Sequence, residues 1–128
     1  MSINDKIRPL ILVLSGVLGA GGVALAAAAS HGGDTHFLGS ASTMCLAHAP
    51  ALLALHAGFD RIRTAAIAGL LLGLGTLLFG LDLVVRHYGM ASLFPLAAPT
   101  GGLAMIIGWA AIVLGAFLSG SPFRRHPD

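Results

Sequence analysis

Glutamate is absent from this 128-residue chain, and charged residues of every kind make up only 9% of it. An ordinary soluble domain carries roughly 25%, so there are too few polar groups here to cover a surface facing water. Cysteine is almost absent as well. The single Cys45 excludes an internal disulfide, and its neighbours Met44 and Leu46 mark it as a buried, inert thiol. A basic stripe is also missing. Seven Lys and Arg stand against five Asp, for a net charge of +2, and they are scattered, which leaves nucleic-acid binding without support. No Ser, His and acid arrangement, phosphate-binding glycine loop or nucleotide fingerprint occurs, so neither an enzyme nor a cofactor is expected.

What is abundant is apolar: 56% of the residues are hydrophobic and the mean hydropathy is +0.90. A helix rises about 1.5 Å per residue and a bilayer core is about 30 Å thick, so a crossing takes roughly twenty apolar residues. Four stretches qualify, at about 10–29, 41–59, 64–85 and 101–118. They predict an all-α, integral membrane four-helix up-down bundle with short loops, in one transmembrane domain over 1–128. Pro9 is expected at the start of the first helix, where a missing amide does no harm. The first run, with Lys6 and Arg8 before it and Ala24 to Ala29 behind, has the outline of a cleaved signal. Its apolar core exceeds the typical 7 to 15 residues of one, so it is read as a retained span.

The uncharged stretch from Tyr88 to Phe123 is too long for one crossing. Pro95, Pro99 and the Gly101-Gly102 pair divide it, leaving Met90 to Leu96 as a short element at the interface or folded back. A helical turn is favoured there, since it satisfies its own backbone groups. Charge placement orients the whole. With four crossings, one side collects Lys6, Arg8, Arg61, Arg63, Arg124 and Arg125, and the other only Arg86. The positive-inside rule places both termini in the cytoplasm, as in a multi-pass protein of a bacterial inner (cytoplasmic) membrane.

Small residues crowd the spans. Lipid gives helices no hydrophobic reason to associate, so close backbone approach supplies much of the attraction. Gly69 with Gly73 and Ala104 with Gly108 make small-xxx-small pairs. Gly69, Gly73, Gly101, Gly102 and Gly108 are expected at helix contacts, with Trp109 packed against glycine-rich neighbours.

Polar residues inside a membrane are candidates for function. His31 and His36 fall in the first loop, Cys45 and His48 in the first turns of the second span, and Asp82 with His87 at the far end of the third, all toward the non-cytoplasmic side. Cys45, His48 and His56 share one helix face within about 80 degrees. A soft metal would accept both thiolate and imidazole, which makes Cys45 and His48 candidate ligands, although no Cys-x-x-Cys or His-x-x-x-His pair supports them. The plainer reading has His48 donating a hydrogen bond to a neighbouring helix. Asp82 and Arg86, at i and i+4 with the acid first, are spaced for an interfacial ion pair; a proton relay through Asp82 and His48 competes but lacks a second acid. Met44 and Leu52, one turn before His48 and His56, argue against a bound macrocycle. Pro50 predicts a kink in the second helix, and His56 falls near the cytoplasmic interface.

Taken together these residues resemble the YgdD-like family of small bacterial and mitochondrial membrane proteins, whose shared domain has no assigned function. The likeness rests on Ala28-Ala29-Ser30-His31-Gly32, on His48 followed by Ala51-Leu52-Leu53, and on Leu74-Gly75-Thr76-Leu77-Leu78-Phe79. The most specific block is Pro99-Thr100-Gly101-Gly102 with Gly108-Trp109. The chain departs from the pattern at Ser30, Pro50 and Asp82. The resemblance implies a four-helix membrane bundle and no reaction, ligand or partner.

Abundant packing surface and scant catalytic equipment point to a structural or accessory subunit, partnered by other membrane proteins or by itself within the lipid bilayer. The alternative is a small transporter or metal-handling protein using Cys45, His48 and Asp82. A weaker third is a lipid-binding bundle using Met90 to Leu96.

Overall fold

The computed structural model describes residues 1–32 and 35–119. It contains four helices: α1 (Ile3–His31), α2 (His36–Ala57), α3 (Ala65–His87) and α4 (Ala97–Leu118). They form an up-down bundle with connections at residues 32–35, 58–64 and 88–96, and no strand occurs among the described residues. Each helix is long and apolar enough to cross a bilayer. Within a helix every interior amide finds its partner in its own segment, which lipid requires.

The helix ends differ from those expected. α1 begins at Ile3 instead of about Leu10 because Ser2 and Asp5 build a capping box. The Ser2 hydroxyl oxygen accepts from the Asp5 amide at 3.3 Å, and the Ser2 amide donates to Asp5 Oδ2 at 2.8 Å. Two orphan amides are thereby satisfied, and the carboxylate lies at the favourable end of the helix dipole. Pro9 is consequently inside α1, not at its start. α2 begins at His36 instead of about Ala41 and runs as one helix through Pro50. α4 begins at Ala97, which puts Pro99 in its first turn, where no amide partner is lost.

Met90 to Leu96 form no helical turn. The segment is irregular, and its backbone is held from outside: the Leu93 amide donates to Asp82 Oδ1 at 2.8 Å, and Met90 reaches back to the Val85 carbonyl at 3.1 Å. Leu96 closes it in a left-handed conformation at φ 65°. A side-chain acceptor at the end of α3 thus supplies what a helical turn was expected to supply. Met90, Leu93, Phe94 and Leu96 remain exposed, an apolar strap at one end of the bundle.

α3 is the central element and packs against all three other helices, whereas the backbone of α4 comes close to that of α3 alone. Half of the apolar window of α3 is buried within the chain, against 22% for α1 and for α4. Ile11, Leu14 and Leu18 of α1 meet Leu52 and Leu55 of α2 and Leu72 of α3, with Met105 of α4 joining them.

Glycines set the close contacts. A Cβ on Gly101 would lie 2.6 Å from the Gly75 carbonyl oxygen and 2.8 Å from the Phe79 amide nitrogen, so α3 and α4 touch backbone to backbone there. Gly108 receives Leu72, Gly73 receives Leu14, and Gly69 receives the side chain of Ile11. Gly102, one residue on from Gly101, faces open space, with nothing within 4 Å of a Cβ. It is not a packing residue.

Candidate functional site

At the end of the bundle that holds the start of α1, the Arg8 guanidinium pairs with Asp60 at 2.9 Å and lies 5.8 Å from the Phe59 ring centroid. The Arg8 carbonyl can only accept, so His56 donates to it from Nδ1, at 3.0 Å. The Arg63 amide donates to the Ser119 hydroxyl at 3.1 Å, bringing the end of α4 to the same place. A cleft of about 320 Å³ opens among Asp5, Arg8, Asp60 and Arg63. Lys6 and Arg61 are exposed at this end, whereas Arg124 and Arg125 lie outside the described residues.

The opposite end carries the remaining polar candidates, and the expected ion pair there does not form. Asp82 is turned inward and 1% exposed. Its Oδ1 accepts from Leu93, and its buried Oδ2 meets no hydrogen-bond partner among the described residues. Arg86 lies instead over the Phe37 ring, 5.0 Å from its centroid. The i, i+4 spacing brought acid and base to neighbouring positions, but the loop amide claimed the acid and an aromatic face claimed the base. His31 is exposed at the end of α1, and the His87 ring meets Tyr88 edge-on at 5.1 Å.

Cys45 and His48 are both buried but diverge. Cys45 faces α1 and α3, lining a small apolar cavity of about 170 Å³ with Leu18, Gly21, Leu25 and Gly80. His48 faces α4. It lines a separate groove of about 300 Å³ with Met44, Phe79, Gly102, Met105, Ile106 and Trp109. Thiol and imidazole therefore do not converge on one ion. No group of three or more His, Cys, Asp or Glu is placed to hold a metal among the described residues.

His48 has a defined tautomer. Its Nδ1 lies 2.8 Å from the Met44 carbonyl, which only accepts, and its Nε2 lies 3.2 Å from the Trp109 indole Nε1, which only donates. Nδ1 therefore carries the proton and Nε2 offers the lone pair. His48 was expected to donate to a neighbouring helix; it donates within α2 and accepts from α4. The rings stand 5.9 Å apart and are tilted 58° to one another. Trp109 is 45% exposed and shares the groove lining with Gly102. Because α2 starts earlier than expected, His48 is not in its first turns. Residues His36 to His48 and Ala97 to Trp109 cover equal lengths of two helices, about 18 Å by helical rise. The pair thus sits near the middle of a core about 30 Å thick.

Four helices of this length and composition, with apolar side chains such as Leu12, Val17, Ile106 and Phe117 turned outward, decide the solvent. The chain is a multi-pass membrane protein. No protein-family model, curated protein or solved structure matches it.

Two interhelical contacts carried weaker sequence signals. Ser15 donates to the Ala49 carbonyl and Ser42 to the Gly22 carbonyl, each at 2.8 Å, tying α1 to α2. A lone Ser within an apolar span is the available sign of such a contact, because its hydroxyl must find a carbonyl when lipid surrounds it.

Proposed function

We propose that the chain is a non-enzymatic accessory subunit of a bacterial inner-membrane assembly, related to the YgdD-like proteins, that packs against other membrane helices or against copies of itself. The observation that carries this reading is the outer face of α1. Gly16, Ala20, Ala24 and Ala28 recur at every fourth residue and are all exposed, and a Cβ on Gly16 would meet nothing within 4 Å. Gly69, Gly73 and Gly75 of α3 and Gly101 and Gly108 of α4 are met by neighbours within the chain; this row is not. Small residues at i, i+4 allow two helices to approach closely in lipid, where dispersion contacts and weak hydrogen bonds supply the attraction. This supports the outer face of α1 as the surface that meets a partner.

The positive-inside rule supports cytoplasmic termini. Lys6, Arg8, Arg61 and Arg63 are at the end that holds the start of α1, and Arg86 is at the other. The metal-handling alternative gains nothing from the geometry, since Cys45, His48 and Asp82 face three different surroundings.

Purification in a mild detergent followed by native mass spectrometry tests the proposal. The native chain should be recovered with a stoichiometric membrane partner or as an oligomer. Ala20→Leu and Ala24→Leu should release it as a monomer with an unchanged melting curve, because both positions point away from the bundle. A native chain found only as an unassociated monomer would contradict the proposal.

A further inference from the structure

We infer that the groove between α2 and α4 is a binding site for a lipid-soluble molecule carrying a phenol-type hydroxyl, which inserts between the Trp109 indole N–H and the His48 Nε2 lone pair. Three observations lead there. The backbone of α4 comes close to that of α3 but not to that of α2, and only side chains span the gap, so the space between α2 and α4 is open to entry from the side. The groove is about 300 Å³, at the lower end of the range of small-molecule sites. Among the described residues that line it, the polar side chains are one donor and one acceptor, held 3.2 Å apart near mid-membrane.

That pair selects a chemistry. A hydroxyl accepts from the indole N–H and donates to the imidazole nitrogen, so both groups stay satisfied. A ketone or ether takes the indole N–H and leaves the imidazole lone pair empty. A cation takes the lone pair and strands the N–H. Buried polar groups are costly when left unpaired, so the hydroxyl is favoured over each of the others. Nδ1 cannot rescue the alternatives, because the Met44 carbonyl already holds its proton.

The lining favours an aromatic ring over a plain alkyl chain. Phe79 and Trp109 offer ring faces, and Met44 and Met105 offer thioethers, which contact aromatic edges well. Gly102 leaves a further open position beside them. Trp109, nearly half exposed, is placed to swing off His48 and admit the hydroxyl.

Trp109 is the chain's only tryptophan, so its fluorescence reads the site without labelling. The native protein in phosphatidylcholine liposomes would be titrated with 4-nonylphenol and, separately, with 4-nonylanisole, which has the same body but no hydroxyl proton. The phenol should shift the emission saturably, with half-saturation at about a tenfold lower membrane concentration than the anisole, the worth of one hydrogen bond. His48→Phe should erase the preference. Gly102→Leu, which fills the open position without touching the polar pair, should abolish saturation, and it stands as a test even where the His48 variant fails to fold. Equal responses to phenol and anisole in the native protein, or an undiminished phenol response in Gly102→Leu, would overturn the inference.

Discussion

α2 meets α1 and α4 across two very different seams. Toward α1, Ser15 and Ser42 reach backbone carbonyls at 2.8 Å, and a Cβ on Gly19 would sit in ordinary contact with Ala49, at 3.6 Å. Toward α4, the one hydrogen bond recorded among the described residues is the side-chain bridge from Trp109 to His48 at 3.2 Å, spanning a groove of about 300 Å³. Leucine gains little by leaving lipid for another leucine, so apolar character alone closes neither seam. What closes the first is the size of its side chains: small residues let hydroxyls reach the main chain of the next helix. Met44, Met105 and Trp109 hold the second open.

The sharpest way to break this contrast is to put bulk where backbones touch. Gly101→Val pushes a branched side chain against the Gly75 carbonyl and the Phe79 amide, and should cost about 3 kcal/mol, seen as earlier unfolding of the purified protein in detergent. Gly102→Leu, its immediate neighbour, should change stability by less than about 0.5 kcal/mol. Next in size is Asp82. Replacing it with Leu strands the Leu93 amide and should cost about 2 kcal/mol, while Asp82→Asn retains the acceptor and should cost about half as much; limited proteolysis between residues 88 and 96 should rise with the first only. Ser15→Ala and Ser42→Ala should each cost about 0.6 kcal/mol, the usual worth of an interhelical hydrogen bond in lipid, measured by the same unfolding series. Arg8→Ala removes a pair whose side chains are 41% and 76% exposed, so less than about 0.5 kcal/mol is expected.

The number of helices was legible because bilayer thickness sets a length that any apolar run can be measured against. Their ends were less so. Apolar content locates the lipid-facing part of α1, but its start is chosen by Ser2 and Asp5, a capping box written in polar residues ahead of the span. Asp82 and Arg86 show the limit of spacing rules. The spacing gives proximity on one helix, whereas the outcome was decided by Leu93 and Phe37, which belong to other segments. Cys45 and His48 sit about 60° apart around α2 by helical period, enough to send them to different neighbours. The pairing of His48 with Trp109 depends on the relative register of two helices that are not consecutive in the chain. No local pattern encodes that, although both residues stood out singly, one as a polar group in a span and the other as an aromatic expected against glycine-rich neighbours.

The bridge between α2 and α4 can be observed directly, since the chain yields a single indole N–H resonance. In the reconstituted native protein that proton should be shifted downfield by the imidazole lone pair and should move back by a large step in His48→Phe, while Ser15→Ala leaves it in place. An indole resonance indifferent to His48, or displaced equally by Ser15→Ala, would contradict the open seam described for α4.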